Sequence, residues 1–429
     1  MKRVLIIAYY WPPSGGSGVQ RWVKFVKHLR NYGWEPVIYT PENPFVTEHD
    51  ESLLKEIPEG VEVLKVPVFE ITKYFSAPTV SNTSASSTPS LFGQLKKSVG
   101  SFVRGNFFIP DPRVTWVSPS VRFLTAYLEK NKVDAIVSTG PPNSMHVIAA
   151  EVKKKTGIPW LADFRDPWME VLKFHDFNIS ALAMDRHQKL FNQVLKTSDS
   201  IIVAHPSVKP NFKKLTSTPV EVITNGYDTK DMEQCPVVDL DKAKFNLVFI
   251  GILYDALNSS PFWQAIAELA AENHAFKQKL QLFFVGNVKQ AAMNDLELHG
   301  LMKQSVFTGY VNHLTAVSYE KAADVLLLFT PAGDEFRYII PGKLFEYLAT
   351  KKPILCVAPI QNDSAQIVID TKGGEVVSPS DKAAIKKMLS HLFDAYEKGT
   401  LNVSSQNVEQ YERKKLTEKL VAELNRIAR

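Results

Sequence analysis

A glycine-rich stretch near the N-terminus is the first candidate for binding chemistry. Residues 11–19 (WPPSGGSGV) place glycine at Gly15, Gly16 and Gly18, directly after an apolar run and before a helical pattern. Glycine lets the backbone turn tightly and approach a ligand, and the free N–H groups of a helix start favour negative charge. We therefore predict an anion site at Gly15 and Gly16, with a plain strand-to-helix turn as the alternative. The dinucleotide pattern G-x-G-x-x-G is absent, which disfavours a dehydrogenase.

Two further stretches follow predicted strands and carry candidate catalytic residues. The stretch STGPPNSMH ends at His146, near a helix start where the dipole favours neutral imidazole. The stretch WLADFRDPW carries Asp163, Arg165 and Asp166, and such dense charge after a buried strand is costly unless it is paired or meets a ligand. Asp163 and Arg165 alternate with Phe164, so they should share one face. The alternatives are a capping or core histidine and a structural Arg–Asp pair.

The fourth stretch, GDEFRYIIPGKLFEYLA, suits a nucleotide diphosphate. Gly342 opens a helix whose N–H groups can hold phosphate, and Lys343 lies in the first turn. Glu346 follows at i+3 on the same side, where a carboxylate can accept hydrogen bonds from ribose hydroxyls. Arg337 adds a second cation before the helix. The alternative is a surface pair between Lys343 and Glu346.

Alternating strand and helix patterns position these stretches. Several short apolar runs are almost continuous, as expected for strands buried on both faces of a parallel sheet. The alternation predicts the α/β class, with doubly wound sheets and right-handed crossovers, and two sheets of six strands are favoured over one of twelve. The runs are centred on 4–8, 36–40, 61–66, 135–138, 160–164 and 201–204, and then on 247–251, 282–286, 306–308, 325–329, 354–357 and 374–377.

Two domains are expected, over residues 1–210 and 211–407, with a C-terminal helix over 408–429 that is a candidate to pack back on the first. The formal charge of +5 is mild for 429 residues and does not indicate a nucleic-acid partner. Two cysteines form no disulfide framework or zinc pattern. No apolar run is long enough to span a membrane, and the first one reads as a strand rather than a signal peptide, so we expect a cytoplasmic protein.

One accessory region has two interpretations. Residues 81–90 (SNTSASSTPS) form a low-complexity loop, and residues 91–104 after it have a basic amphipathic pattern. Such a pattern can lie on the inner face of an anionic cell membrane or receive a lipid-linked acceptor. Packing of this stretch against its own domain is the alternative.

In this order and spacing, the stretches resemble the family-four retaining glycosyltransferases of the GT-B fold, especially the bacterial branch that acts in cell-surface polysaccharide assembly. The resemblance covers nearly the whole chain and also draws on VITNGYD at 222–228 and FIG at 249–251. It implies two Rossmann-like domains facing across a cleft. The acceptor, a glycan or lipid-linked molecule, would bind mainly to the N-terminal domain and a UDP- or GDP-sugar donor to the C-terminal one. Neither a metal nor another cofactor is implied.

The resemblance also implies roles for individual residues. Gly15 and Gly16 would approach the donor diphosphate, Lys343 its phosphate side and Glu346 the ribose, while His146 matches loosely the histidine that touches the donor sugar. The chain departs from the family at position 338, where a tyrosine replaces the first of two carboxylates eight positions apart. The expected activity is that of a hexosyltransferase. A nucleotide-sugar 2-epimerase and a non-catalytic nucleotide-sugar-binding protein are the alternatives.

Overall fold

The computed structural model describes residues 1–46, 49–69, 102–174 and 179–428. The low-complexity loop at 81–90 and residues 91–101 of the amphipathic stretch lie outside the described residues. The chain divides into two compact units, Met1–Thr224 together with the chain from Leu416 onward, and Asn225–Lys415. None of the described helices is long and apolar enough to cross a membrane.

The first unit contains a parallel sheet flanked by helices. Its strands are β1 (Lys2–Ile7), β2 (Trp34–Pro41), β3 (Glu62–Val66), β4 (Ala135–Gly140), β5 (Trp160–Phe164), β6 (Ser200–Val203) and β7 (Val220–Val222). Their order among the described residues is β3-β2-β1-β4-β5-β6-β7, and every pairing is parallel. The loops after β1, β4 and β5 therefore leave the same edge of the sheet, where ligands of α/β proteins bind.

The helices of this unit cover the faces of the sheet. They are α1 (Ser17–Leu29), α2 (Val117–Lys130), α3 (Ser144–Thr156), α4 (Trp168–Phe174), α5 (Ala181–Thr197) and α6 (Lys209–Leu215). Apolar residues at helical spacing on α1, such as Val19, Trp22 and Val26, are fully buried in the core of the unit. Gly33, at φ +79°, ends the segment after α1, because a left-handed residue cannot continue a helix.

The second unit repeats this architecture with six described strands. They are β8 (Phe245–Ile250), β9 (Leu280–Val285), β10 (Ser305–Gly309), β11 (Val325–Phe329), β12 (Ile354–Val357) and β13 (Gly374–Val377). Their order is β10-β9-β8-β11-β12-β13, again with parallel pairing. The prediction of two doubly wound parallel sheets is confirmed.

The second unit's helices alternate with its strands. They are α7 (Thr229–Gln234), α8 (Ser260–Glu272), α9 (His274–Lys279), α10 (Gln290–Leu298), α11 (His313–Ala322), α12 (Lys343–Thr350), α13 (Asp363–Asp370) and α14 (Lys382–Glu397). A last helix, α15 (Arg413–Ile427), ends the described chain. From Leu416 onward it belongs to the first unit, where Leu420 and Leu424 are fully buried in the core.

Candidate functional site

The glycine-rich loop and the start of α1 border a cavity of about 420 Å³ in the first unit. Gly16 has φ +99° and precedes the helix, a conformation that favours glycine. Gly18 is constrained differently, because a Cβ there would lie 1.3 Å from Nη1 of Arg165. The guanidinium of Arg165 thus rests directly against the first turn of α1. The structure brings together Gly15, Gly16 and Arg165, as expected for loops at one sheet edge.

Arg165 is held by main-chain contacts and keeps spare donor capacity. Its guanidinium donates to the carbonyl of Pro141, and its backbone N–H donates to the Gly140 carbonyl at 3.0 Å. Nε is buried without a hydrogen-bond partner, and burial lowers the pKa of the guanidinium. Asp166, the neighbouring candidate, is exposed and is not among the residues that line this cavity.

Asp163 is a structural residue in this arrangement, which corrects the prediction of a catalytic carboxylate. The side chain is fully buried and accepts hydrogen bonds from Arg21 Nε and Nη2 (3.3 and 3.0 Å), Trp22 Nε1 (2.8 Å) and Thr139 Oγ1 (2.9 Å). A carboxylate with this many donors has little capacity left for a substrate. The alternative of a structural Arg–Asp pair holds, but the partner is Arg21 rather than Arg165.

The His146 side chain packs against Gly140 at the end of β4. Its ring is fully buried, shares a 2.8 Å hydrogen bond between Nδ1 and Ser138 Oγ, and lies 4.4 Å from the Phe164 ring between centroids. Burial lowers its pKa to about 3, so the imidazole is neutral at physiological pH. Nε2 has no partner and would lie 2.6 Å from a Cβ at Gly140. This ring does not reach solvent. Its contact with a donor sugar stays a prediction.

The start of α12 in the second unit is open to a ligand. Apart from Gly342 itself and its two chain neighbours, no described residue has an atom within 4 Å of where a Cβ on Gly342 would be. The N–H groups of Leu344 and Phe345 donate to the carbonyls of Pro341 and Gly342, at 3.0 and 3.3 Å. The same part of the chain offers no main-chain acceptor to the N–H of Gly342 or Lys343. Two backbone donors at the positive end of the helix dipole are therefore left without a main-chain partner among the described residues.

Lys343 joins the start of α12 to the end of β8. Its ammonium donates to the carbonyl of Ile250 and lies 4.0 Å from the centroid of the Phe249 ring. A Cβ on Gly251 would lie 3.2 Å from Nζ, so glycine leaves space beside the ammonium. Burial lowers the pKa of Lys343 to about 7, while the carboxyl groups of Glu320 and Glu346 act in the opposite direction.

Glu346 is oriented by a histidine rather than by the nearby lysine. His313 Nε2, at the start of α11, donates to Glu346 Oε1 at 2.7 Å. In the described chain no ion pair links Glu346 to Lys343, so the alternative of a surface Lys–Glu pair is wrong. The Glu346 side chain retains 19% exposure, and its second carboxylate oxygen keeps its acceptor capacity.

Glu320 is an unexpected third ionisable side chain near this helix. It lies on α11, is fully buried, and neither carboxyl oxygen has a hydrogen-bond partner. Burial raises its pKa well above the ordinary value, and the negative charge of Glu346 adds to that effect while Lys343 opposes it. Burial therefore favours the protonated, neutral form of this carboxyl.

Replacing Glu320 by glutamine should make the protein more stable relative to wild type as the pH rises. A carboxyl whose pKa is raised in the folded state stabilises the fold below its unfolded pKa, about 4.5, and loses that contribution as the pH rises through the folded value. Glutamine cannot ionise, so the melting temperature of Glu320→Gln should rise relative to that of wild type between pH 5 and pH 8. Glu297 is exposed, so the melting temperature of the Glu297→Gln control should differ from that of wild type by the same amount at pH 5 and pH 8. The assignment would be contradicted if the melting temperature of Glu320→Gln also kept a constant difference from wild type.

The remaining candidates precede α12. Arg337 is exposed, and its carbonyl accepts from the N–H of Asp363 at 2.8 Å, so its guanidinium stays a predicted second cation. Tyr338, which replaces the family's first carboxylate, is only 9% exposed. A tyrosine at this position packs into the unit instead of presenting a negative charge beside the helix.

Arg21, Glu320 and His313 were not identified from the sequence. Glu320 carried a usable signal, since it follows the buried Val317 by three positions and so lies on the same side of α11. Arg21 lies next to Trp22 on a helix that is buried nearly all round, a pattern that hides which polar residue faces a partner. The pairing of His313 with Glu346 joins two helices and has no local signal.

Comparison with known proteins finds a family match within the second unit. Residues 244–395 match the family model described as Glycosyl transferases group 1. No curated protein matches the chain. A glycosyltransferase from Rickettsia africae ESF-5 is 12% identical, with a TM-score of 0.61 over 99% of this chain and 98% of that chain. WaaG, a glycosyltransferase involved in lipopolysaccharide biosynthesis, is 15% identical, with a TM-score of 0.56 over 99% of both chains.

A third solved structure represents a different activity on the same architecture. It is a putative UDP-N-acetylglucosamine 2-epimerase from Listeria monocytogenes, 10% identical, with a TM-score of 0.57 over 98% of this chain and 95% of that chain. Identities this low show the fold alone, and that fold is GT-B, with two Rossmann-like units. The family match over residues 244–395 supports glycosyl transfer.

Proposed function

We propose that the protein is a retaining, family-four-type hexosyltransferase that moves a sugar from a UDP- or GDP-sugar to a glycan or lipid-linked acceptor in cell-surface polysaccharide assembly. The observation that carries the proposal is the start of α12, where two N–H groups have no main-chain partner among the described residues and the space beside Gly342 is open. Lys343 and Glu346 lie within its first turn. The family match, which spans this helix, gives independent support.

The second unit would bind the donor through three contacts. The diphosphate accepts hydrogen bonds from the N–H groups of Gly342 and Lys343, which lie at the positive end of the helix dipole. The Lys343 ammonium uses one of its three donors on Ile250 and has two left for phosphate. Glu346, oriented by His313, accepts from the ribose hydroxyls. Arg337 provides a further cation for the phosphates.

Catalysis would rest on stabilising the leaving group. As the glycosidic bond breaks, negative charge grows on the departing diphosphate, and preorganised N–H groups together with Lys343 stabilise it. These groups would supply the positive charge that a metal ion supplies in other phosphate sites. The acceptor hydroxyl attacks from the face that the diphosphate leaves, and its proton passes to a phosphate oxygen. Attack on that face retains the anomeric configuration.

The affinity for UDP should fall as the pH rises from 7 to 8.5. Lys343 has a pKa of about 7 in the free protein, so it loses its charge over this interval. The charge of the UDP phosphates changes far less over this interval, since phosphate monoesters have their second pKa near 6. Calorimetric titration should show the affinity falling by up to about tenfold per pH unit. In Lys343→Arg the charge persists, so the pH dependence should disappear; an unchanged slope in that variant would contradict the role of Lys343.

The transfer assay discriminates between the candidate activities. UDP- and GDP-sugars are first screened by thermal shift, because a ligand that binds only the folded form raises the melting temperature. The stabilising donor is then incubated with glycan or lipid-linked acceptors, and the product is analysed for anomeric configuration. The fold shared with a putative 2-epimerase makes that activity the second candidate. Epimerisation of UDP-N-acetylglucosamine without acceptor, and no transfer with it, would overturn the proposal.

A further inference from the structure

Three arginines converge on the cavity beside the glycine-rich loop of the first unit. Arg104, Arg113 and Arg165 line it together with Gly15 and Gly16 at the start of α1. Among the described residues that line this cavity, none is acidic. Three guanidinium groups around one space give the cavity an excess of positive charge in its lining.

Of the three arginines, Arg113 gives the strongest structural argument for a bound anion. Arg113 lies in a short 3-10 helix, Pro112–Trp116, and is only 6% exposed. Nε has no hydrogen-bond partner, and no described carboxylate forms an ion pair with the guanidinium, which lies 4.8 Å from the centroid of the Tyr9 ring. The nearby carboxylate of Asp111 instead accepts from the N–H groups of Arg113 and Ser144 and from Ser144 Oγ. A buried cation without an anionic partner is costly in a folded protein.

The other two arginines add further positive charge to the lining of the cavity. Burial and the positive charge of Arg113 lower the pKa of Arg104. Arg165 has its own unpartnered Nε, and its guanidinium lies against Gly18 in the first turn of α1. In the described chain, the N–H groups of Ser17 and Gly18 have no main-chain acceptor. Guanidinium forks and helix-start N–H groups are the donors that phosphate oxygens accept from most strongly.

We propose that Arg104, Arg113, Arg165 and the start of α1 form a binding site for a phosphate-class oxyanion in the first unit. The group is a phosphate monoester or a diphosphate, because three cations line the cavity, and such a lining suits a ligand with more than one negative charge. Its source is either the diphosphate of a nucleotide sugar or the phosphate of a lipid-linked acceptor. That assignment to a substrate rests on the proposed function, whereas the binding itself does not.

The test measures binding by the full-length protein of three probes: inorganic pyrophosphate, UDP and a short, soluble prenyl phosphate. Arg113→Gln removes the buried charge and should weaken pyrophosphate binding by at least about tenfold, since charge-assisted hydrogen bonds to phosphate are among the strongest. Arg122→Gln removes an exposed arginine of α2 outside the cavity and is the matched control. Thermal unfolding without ligand gives a second readout, in which Arg113→Gln should melt at or above the wild-type temperature.

The pattern across the probes identifies the source of the phosphate. If Arg113→Gln weakens UDP along with pyrophosphate, the site belongs to the donor; if it weakens prenyl phosphate and leaves UDP unchanged, the site belongs to the acceptor. Either pattern supports an oxyanion site. Wild-type affinity of Arg113→Gln for all three probes, or no binding of any of them to the wild type at millimolar concentration, overturns it. Because Lys343 lies outside this cavity, UDP binding that still depends on Lys343 would leave the proposed function standing.

Discussion

Lys343→Met should lower the rate of sugar transfer on the order of 10²-fold, the usual loss when one preorganised charge or donor is removed from the group that gains charge in the transition state. Methionine has a similar length and can keep the contact with the Phe249 ring, from whose centroid Nζ now lies 4.0 Å. The loss should therefore come from the missing charge and not from misfolding. Since the ammonium would act on charge that grows as the bond breaks, the turnover number should fall more than the affinity for the donor.

Controls separate this effect from a general loss of positive charge. Lys303→Met changes an exposed lysine of the same unit and should transfer sugar at the wild-type rate. Lys343→Arg keeps the charge but presents a larger, planar group, so part of the activity should return. A near-normal rate for Lys343→Met, with an unchanged melting temperature, would remove Lys343 from the mechanism.

Arg21→Met should destabilise the first unit by about 3–5 kcal/mol, the usual effect of removing one partner of a buried ion pair. Arg21 is fully buried and donates to Asp163, and also to the carbonyls of Ile223 and Thr224 at 2.8 and 2.7 Å. It therefore connects α1 and β5 to the chain that follows β7. Without it, the Asp163 carboxylate stays buried with only two of its donors, Trp22 Nε1 and Thr139 Oγ1.

A second arginine of the same unit provides the matched control. Arg30 pairs with Glu35 at 2.6 Å, but the two side chains are 29% and 27% exposed. Solvent screens such a pair, so Arg30→Met should cost less than about 1 kcal/mol. Denaturant unfolding followed by a probe in the first unit measures both variants. Equal effects of Arg21→Met and Arg30→Met would contradict the assignment of Arg21 and Asp163 as a buried structural pair.

Sequence periodicity predicted the elements that build the sheets because both faces of each sheet are covered. The strand β11 is a continuous apolar run, and β1 becomes one after Lys2 and Arg3, so the burial of these stretches is unambiguous. The strand β7 was not predicted, since its three residues include the exposed Glu221 and lie at the sheet edge. An edge strand of that length has no periodic signal, so the sequence indicated six strands for the first sheet where the structure has seven.

The site was only partly predictable, because burial and partners depend on residues distant in sequence. The position of Lys343 and Glu346 in the first turn of a helix followed from the Pro-Gly pair before them, and the structure agrees. Asp163, by contrast, looked like a catalytic carboxylate until its partner, 142 positions away, was known. Arg113 carried no local signal either, since its importance comes from the cavity that it shares with Arg165.

A crystal structure with UDP bound would test most directly whether the start of α12 is the diphosphate site. The proposal expects phosphate oxygens about 3 Å from the backbone nitrogens of Gly342 and Lys343, the ordinary N–H···O distance, and a ribose hydroxyl on Glu346. UDP bound elsewhere in the second unit, with the start of α12 unoccupied at saturating concentration, would contradict it.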